Sequence, residues 1–147
     1  MKKLLAIVLA ALMIAACSVT AFAADTTTVT YEVQPTYTVS IPASVTLSDA
    51  DVTADITASD VVIENGSQIT VKLTAASNTA SGSTFNAKNG DSTVAYTITA
   101  DSAVAVGDTV ATFTADGSKT LTFSAADKSA ATTAGEHTET LTFTISA

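Results

Sequence analysis

Val29-Thr-Tyr-Glu-Val-Gln-Pro-Thr-Tyr-Thr-Val-Ser-Ile-Pro-Ala-Ser-Val-Thr-Leu47 is the stretch whose reading decides the fold. Its odd positions, from Val29, Tyr31 and Val33 through Tyr37, Val39 and Ile41 to Val45 and Leu47, are all apolar. Its even positions are Thr, Ser, Glu and Gln, with Pro42 the one exception. Strict alternation of this kind belongs to an extended chain with one face buried and the other wet. At roughly 3.3 Å per residue the run would span about 60 Å, far beyond an ordinary strand. It therefore has to bend into two or three strands, or send part of itself outside its own domain. Pro35 and Pro42, which donate no ladder hydrogen bond, are the expected break points.

Upstream, the chain reads as an export signal. Lys2 and Lys3 precede an apolar run from Leu4 to Ala16, and Ala21-Phe22-Ala23 gives the small-x-small pattern of a signal-peptidase site. The run is shorter than the roughly 20 residues of a membrane-spanning helix. Cleavage after Ala23 would divide the chain into a signal peptide, 1–23, and a single domain, 24–147. A second reading places lipidation at Cys17, because Ile14-Ala-Ala-Cys17 resembles a bacterial lipobox. Cleavage after Ala23 removes the one cysteine, so the domain would be held by its core alone, without disulfides.

The remaining 124 residues make one domain's worth of chain. They carry four lysines against fourteen carboxylates, a net charge of −10. That balance excludes nucleic acid, anionic lipid and polyanionic wall polymers as direct partners, since no basic patch can form. Self-association or a cell-surface polymer are the partners left open, with no membrane insertion once the signal is removed. Threonine supplies 27 of the 124 residues. Its branched stem suits the pleat and its hydroxyl the wet face. A mucin-like stalk would need interspersed proline and no alternation, and the chain has the reverse.

Further along, Ser48 to Asp60 reads as an acidic loop or a short irregular edge. Asp49, Asp51, Asp55 and Asp60 do not have the spacing of an EF-hand. Three hairpin signals follow. Asn65-Gly66 predicts a type I′ turn joining Val61–Glu64 to Ser67–Ala75. Asn89-Gly90 predicts a two-residue turn that sets Phe85 opposite Val94 and Lys88 opposite Asp91. At Asp116-Gly117 the apolar pairing asks for a three-residue loop with Gly117 left-handed, Phe113 opposite Leu121 and Ala111 opposite Phe123. Ser124 to Gly135 lacks period and predicts a crossover or surface loop. Thr138 to Ala147 alternates again, with Leu141, Phe143 and Ile145 on one face; nothing after it resembles an anchor. The expected core is Val39, Ile41, Val45, Leu47, Ile69, Val71, Leu73, Phe85, Val94, Tyr96, Ile98, Phe113, Leu121, Phe123, Leu141, Phe143 and Ile145.

The fragments Tyr37-Thr-Val-Ser-Ile-Pro-Ala-Ser-Val-Thr-Leu47 and Ala134-Gly-Glu-His-Thr-Glu-Thr-Leu-Thr-Phe-Thr-Ile145 resemble the opening and closing parts of small secreted and surface β-sandwich proteins of Gram-positive bacteria. The closing strand is also loosely similar to WxL-type wall-binding and fimbrial-subunit domains. His137 stands where that pattern has Tyr, and the absence of Trp removes the WxL signature. The resemblance implies an antiparallel, Ig-like β-sandwich of about seven to nine strands at a bacterial surface. It implies no catalytic activity and no cofactor.

Chemistry-bearing residues are sparse. His137 is the lone histidine, so zinc sets built on His and Cys are excluded. No nucleophile motif accompanies it. Glu136 and Glu139 have the residue types of a glycosidase pair but no cleft-forming insertion beside them. Tyr31, Tyr37 and Tyr96 fall on apolar-parity positions, which assigns them to the core rather than to a sugar platform. The sequence thus reads as a non-catalytic extracellular or cell-surface structural or adhesive protein. A carbohydrate-binding module is the alternative. The segment before Pro35, with Val29, Tyr31 and Val33 on one face, is the candidate contact for a partner's sheet edge.

Overall fold

A computed structural model describes residues 27–78 and 81–147. The signal segment and Cys17 lie outside the described residues. The chain divides into two units, Met1–Glu32 and Val33–Ala147. Of the first, residues 27–32 are described; they form no strand, and Val29 and Tyr31 are 88% and 90% exposed.

Among the described residues, eight strands and no helix make up the second unit: β1 (Thr36–Ser40), β2 (Val52–Val62), β3 (Ile69–Ala76), β4 (Thr84–Asn89), β5 (Ser92–Thr99), β6 (Thr109–Phe113), β7 (Gly117–Phe123) and β8 (Leu141–Ser146). They form two antiparallel sheets, one of five strands in the order β1-β2-β7-β5-β4 and one of three in the order β6-β3-β8. This is the all-β sandwich that the alternation predicts. Between the sheets lie Ile56, Ile69, Val71, Leu73, Phe85 and Ile98, all fully buried. Phe85 stacks on Tyr96, with ring centroids 5.6 Å apart, and Tyr96 meets Phe123 at 6.2 Å.

The opening run contributes less sheet than its alternation suggests. Of residues 29–47 only Thr36–Ser40 pair, with β2. Past Ser40, residues 41–47 form an unpaired strap, with Ile41, Val45 and Leu47 half-buried against the core.

The acidic stretch, in contrast, is an eleven-residue strand, the longest of the eight. Val52, Ala54, Ile56 and Ala58 face inward, while Thr53, Asp55 and Thr57 face water. Asp55 accepts a hydrogen bond from the Thr120 hydroxyl at 2.6 Å. The β1–β2 register then shifts, with Thr38 opposite Ser59 but Thr36 opposite Val62. Asp60 takes the extra position with φ of 55°, a left-handed conformation that Asp tolerates better than most residues. The bulge changes parity, so Val61 and Ile63 pack on the core after the even-numbered residues before them. Small alanines and that change of parity hid the strand from a periodicity reading.

Two of the three expected hairpins are crossings between sheets. Asn65-Gly66 does make a turn, with the Ser67 amide donating to the Glu64 carbonyl at 3.0 Å. Gly66 has φ of 88° while Asn65 stays at negative φ, the type II pattern rather than I′. Unprimed turns splay their flanking strands. Here β2 and β3 go to different sheets. Residues 114–116 make a second crossing, from β6 to β7, and Gly117 is not left-handed. The apolar matches Phe113–Leu121 and Ala111–Phe123 are therefore not ladder pairs. Phe113 pairs with Ile69, and Leu121 with Ala54. Asp116 ties the crossings together by accepting the Val61 amide at 2.8 Å.

The β4–β5 hairpin is real but slipped by two residues. Asn89 pairs with Ser92, Ala87 with Val94, and Phe85 with Tyr96 rather than Val94. Gly90, with φ of 60°, takes the first turn position and Asp91 the second. An even slip keeps each side chain on its face, so the buried set survives the error. After β7, residues 124–140 cross to the smaller sheet and first run beside β5, where Asp127 and Ala95 exchange two backbone hydrogen bonds.

A candidate groove between the sheets

The three-stranded sheet does not cover the whole inner face of the five-stranded one. What remains is a groove of about 730 Å³. Val94 and Tyr96 of β5 and Leu121 and Phe123 of β7 line it, together with the strap (Ile41, Val45, Leu47) and with Leu141 and Phe143 of β8. The size lies within the range of ligand-binding clefts, and the lining mixes apolar with polar and charged side chains in nearly equal measure. Several residues expected in the core stop here. Val39, Ile41, Val45, Leu47, Leu141 and Phe143 are half-buried, and Ile145 is exposed. Ile56, Ala58, Ala87, Val104, Val110 and Ala111 are buried in addition to the expected set. Val110 and Ala111 are buried in succession because a register shift between β3 and β6 turns both inward.

Residues 136–140, leading into β8, border the groove and carry its polar chemistry. The Tyr96 hydroxyl donates to Glu139 Oε2 at 2.6 Å, and Glu139 Oε1 is buried with no direct hydrogen-bond partner. Burial raises the Glu139 carboxyl above its ordinary range, while the Tyr96 hydrogen bond, the Asn78 and Asn86 amides and Lys88 pull the other way. Tyr96 is pushed strongly upward by its own burial and then by the Glu139 carboxylate, so it remains a neutral donor. An acid whose folded pKa is raised binds its proton more tightly in the native state. Its contribution to stability is full below the unfolded carboxylate pKa and is lost as pH rises through the folded value. Glu139→Gln keeps an acceptor for Tyr96 and removes the charge. Its melting temperature relative to the parent should therefore rise between pH 4 and pH 8 in thermal scans; a constant difference would show that the carboxylate is not held against its ionisation.

Next to this pair the structure joins Ser92 and His137. Ser92, only 1% exposed, has its Oγ 2.8 Å from His137 Nε2. His137 Nδ1 lies 3.1 Å from the Gly135 carbonyl, which can only accept, so Nδ1 carries the proton and Nε2 accepts from the serine hydroxyl. The same Oγ accepts the amides of Thr132 and Thr133 at 2.9 and 3.1 Å. One donated and two accepted bonds exhaust the hydroxyl, and the two amides aim at Oγ itself rather than at a place where an oxyanion would form. The arrangement pins the 130–137 loop onto β5. Ser92 was not legible as a partner of His137, because 45 residues separate them.

The other candidates are dispersed. Glu136 is exposed at the same groove and takes no part in the Tyr96–Glu139 hydrogen bond. Asp49 pairs with Lys128, Asp51 accepts the Ala125 amide at 2.9 Å, Asp55 faces β7, and Asp60 forms the bulge. No group of metal-ligating side chains occurs among the described residues. Of the three tyrosines assigned to the core only Tyr96 is buried; Tyr31 lies outside the strands, and Tyr37 stands on the edge strand β1 where its register with β2 shifts, so both are exposed. Val33 is 62% exposed. Compared with known proteins, the chain matches no family model, no curated relative and no solved structure.

Proposed function

We propose that the protein is a non-catalytic structural or adhesive β-sandwich protein of a bacterial cell surface, exported by its N-terminal signal and associating with itself through the segment before Pro35. The observation that carries this reading is the open face of Val29, Tyr31 and Val33, three apolar side chains at strand spacing on a segment that belongs to no sheet. An extended segment of that kind is suited to strand addition, in which backbone hydrogen bonds give affinity and alternate side chains give specificity. The exhausted Ser92 hydroxyl supports the absence of catalysis, and the resemblance of the end strands supports a surface location.

Removing residues 24–34 tests the reading. The truncated protein should keep its β-sheet circular dichroism and cooperative melting, and lose the higher-order species that the full chain shows in light scattering. A full chain that stays monomeric at every concentration, or a truncation that unfolds, would overturn it. Exposure of Tyr31 and Tyr37 favours carbohydrate binding as a second reading, since flat rings stack on sugar faces. Saturable binding to a polysaccharide, abolished by Tyr31→Ala or Tyr37→Ala in a folded protein, would establish it.

A further inference from the structure

The residues that alternation assigns to the core, and that the fold leaves half-covered, converge on one place. Ile41, Val45 and Leu47 on the strap face Leu141 and Phe143 of β8 across the groove. On the groove side β8 has no neighbour: its sheet runs β6-β3-β8, and among the described residues no backbone hydrogen bond joins it to the strap. An open strand edge beside an uncovered apolar floor has the requirements of one more strand, namely backbone partners and alternate side-chain sites. Glu139 borders the same groove, with one carboxylate oxygen on the Tyr96 hydroxyl and the other buried.

We propose that this groove accepts residues Val29–Val33 of a second copy of the chain, laid along β8 with Val29, Tyr31 and Val33 on the floor. The inference rests on the preceding reading that the N-terminal segment mediates assembly, and adds its acceptor. Period, length and chemistry agree. The three apolar residues alternate with Thr30 and Glu32, which would face water. Five residues extend roughly 16 Å, against roughly 20 Å for the six of β8. The segment carries Glu32 and no basic residue, and Lys128, Glu136 and Glu139 also border the groove, so the match rests on the apolar faces and not on charge. Donor and acceptor are different surfaces of one chain. The contact is therefore heterologous, and each added copy presents a fresh groove or a fresh segment.

Cysteine cross-linking of the full chain in a Cys17→Ser background tests the assignment. Tyr31→Cys mixed with Leu141→Cys should give a disulfide-linked heterodimer under mild oxidant, and Tyr31→Cys mixed with Lys72→Cys, on the outer face of β3, should not. Thr140→Cys, exposed at the same groove, replaces Leu141→Cys if that variant folds poorly. In the absence of cysteines, Val29→Asp with Val33→Asp should weaken self-association at least tenfold in sedimentation. Association that persists while Tyr31→Cys links equally to Lys72→Cys overturns the groove but leaves the assembly reading standing. An exclusively intramolecular disulfide in Tyr31→Cys/Leu141→Cys would show the chain filling its own groove, which also overturns the inference. A strict monomer removes both.

Discussion

Phe85→Ala should destabilise the domain by about 3–5 kcal/mol, the range for an aromatic ring deleted from a closed core. Phe85 is fully buried, stacks on Tyr96, and comes from β4, whose only ladder partner is β5. Its loss would leave a cavity at the edge of the larger sheet that neither neighbour can collapse into without giving up the Tyr96–Glu139 hydrogen bond. A typical domain has only 5–15 kcal/mol in total, so the variant should stand near the limit of folding at 37 °C. Phe143→Ala is the informative companion. Phe143 points into the groove and is half-buried, so its truncation should cost about 1 kcal/mol, less than the full burial of a large side chain. Urea unfolding of the two variants at low protein concentration checks both values. A Phe143→Ala loss equal to that of Phe85→Ala would mean that the groove is filled in the folded monomer.

Ser92→Ala should cost about 2 kcal/mol, more than its single oxygen suggests. Removing the hydroxyl strands the Thr132 and Thr133 amides and the His137 Nε2 acceptor together. An unmade bond at a buried site costs about 1–3 kcal/mol, and the amides on an exposed loop recover part of this from water. The loss should be local before it is global. Amide hydrogen exchange should quicken across 130–137 while Ile56, Val71 and Ile98 keep their protection, because those strands are held by the core. Uniform quickening would place the serine in the global folding unit instead.

The sequence displays period, and period was enough for the layers. Ile69, Val71 and Leu73, then Val94, Tyr96 and Ile98, and also Leu121 and Phe123, are buried where alternation puts them. What alternation does not carry is which strand lies beside which. Asn65-Gly66 and Asp116-Gly117 have the residue types of a hairpin, yet both turns pass between sheets, because the partner of each strand lies tens of residues away. In β2 the inward positions are held partly by alanine, and aspartate stands at Asp55 and at the Asp60 bulge, so its signal resembled that of a loop. The site was least legible of all. The groove is a gap between a strap and an edge strand, and a gap leaves no pattern in the residues that border it. Only the excess of alternation in residues 29–47, too long for the strands available, pointed toward it.

The two crossings have a kinetic consequence. Because β2 and β3 part company at Gly66, neither can pair with its successor in the chain. Ile56 on β2 lies opposite Lys119, and Val71 on β3 lies opposite Ile145. Closing such loops spends chain entropy before any contact repays it, and domains dominated by distant pairings fold in milliseconds to seconds. Among the described residues only β4 and β5 form a tight hairpin. The chain therefore has one early nucleus near its middle, and must keep β3 without its β8 partner until residues 141–146 arrive. Through that interval the edge that β8 will cover is bare, and its alternating Ile69, Val71 and Leu73 are the part of the chain most exposed to premature pairing with another molecule.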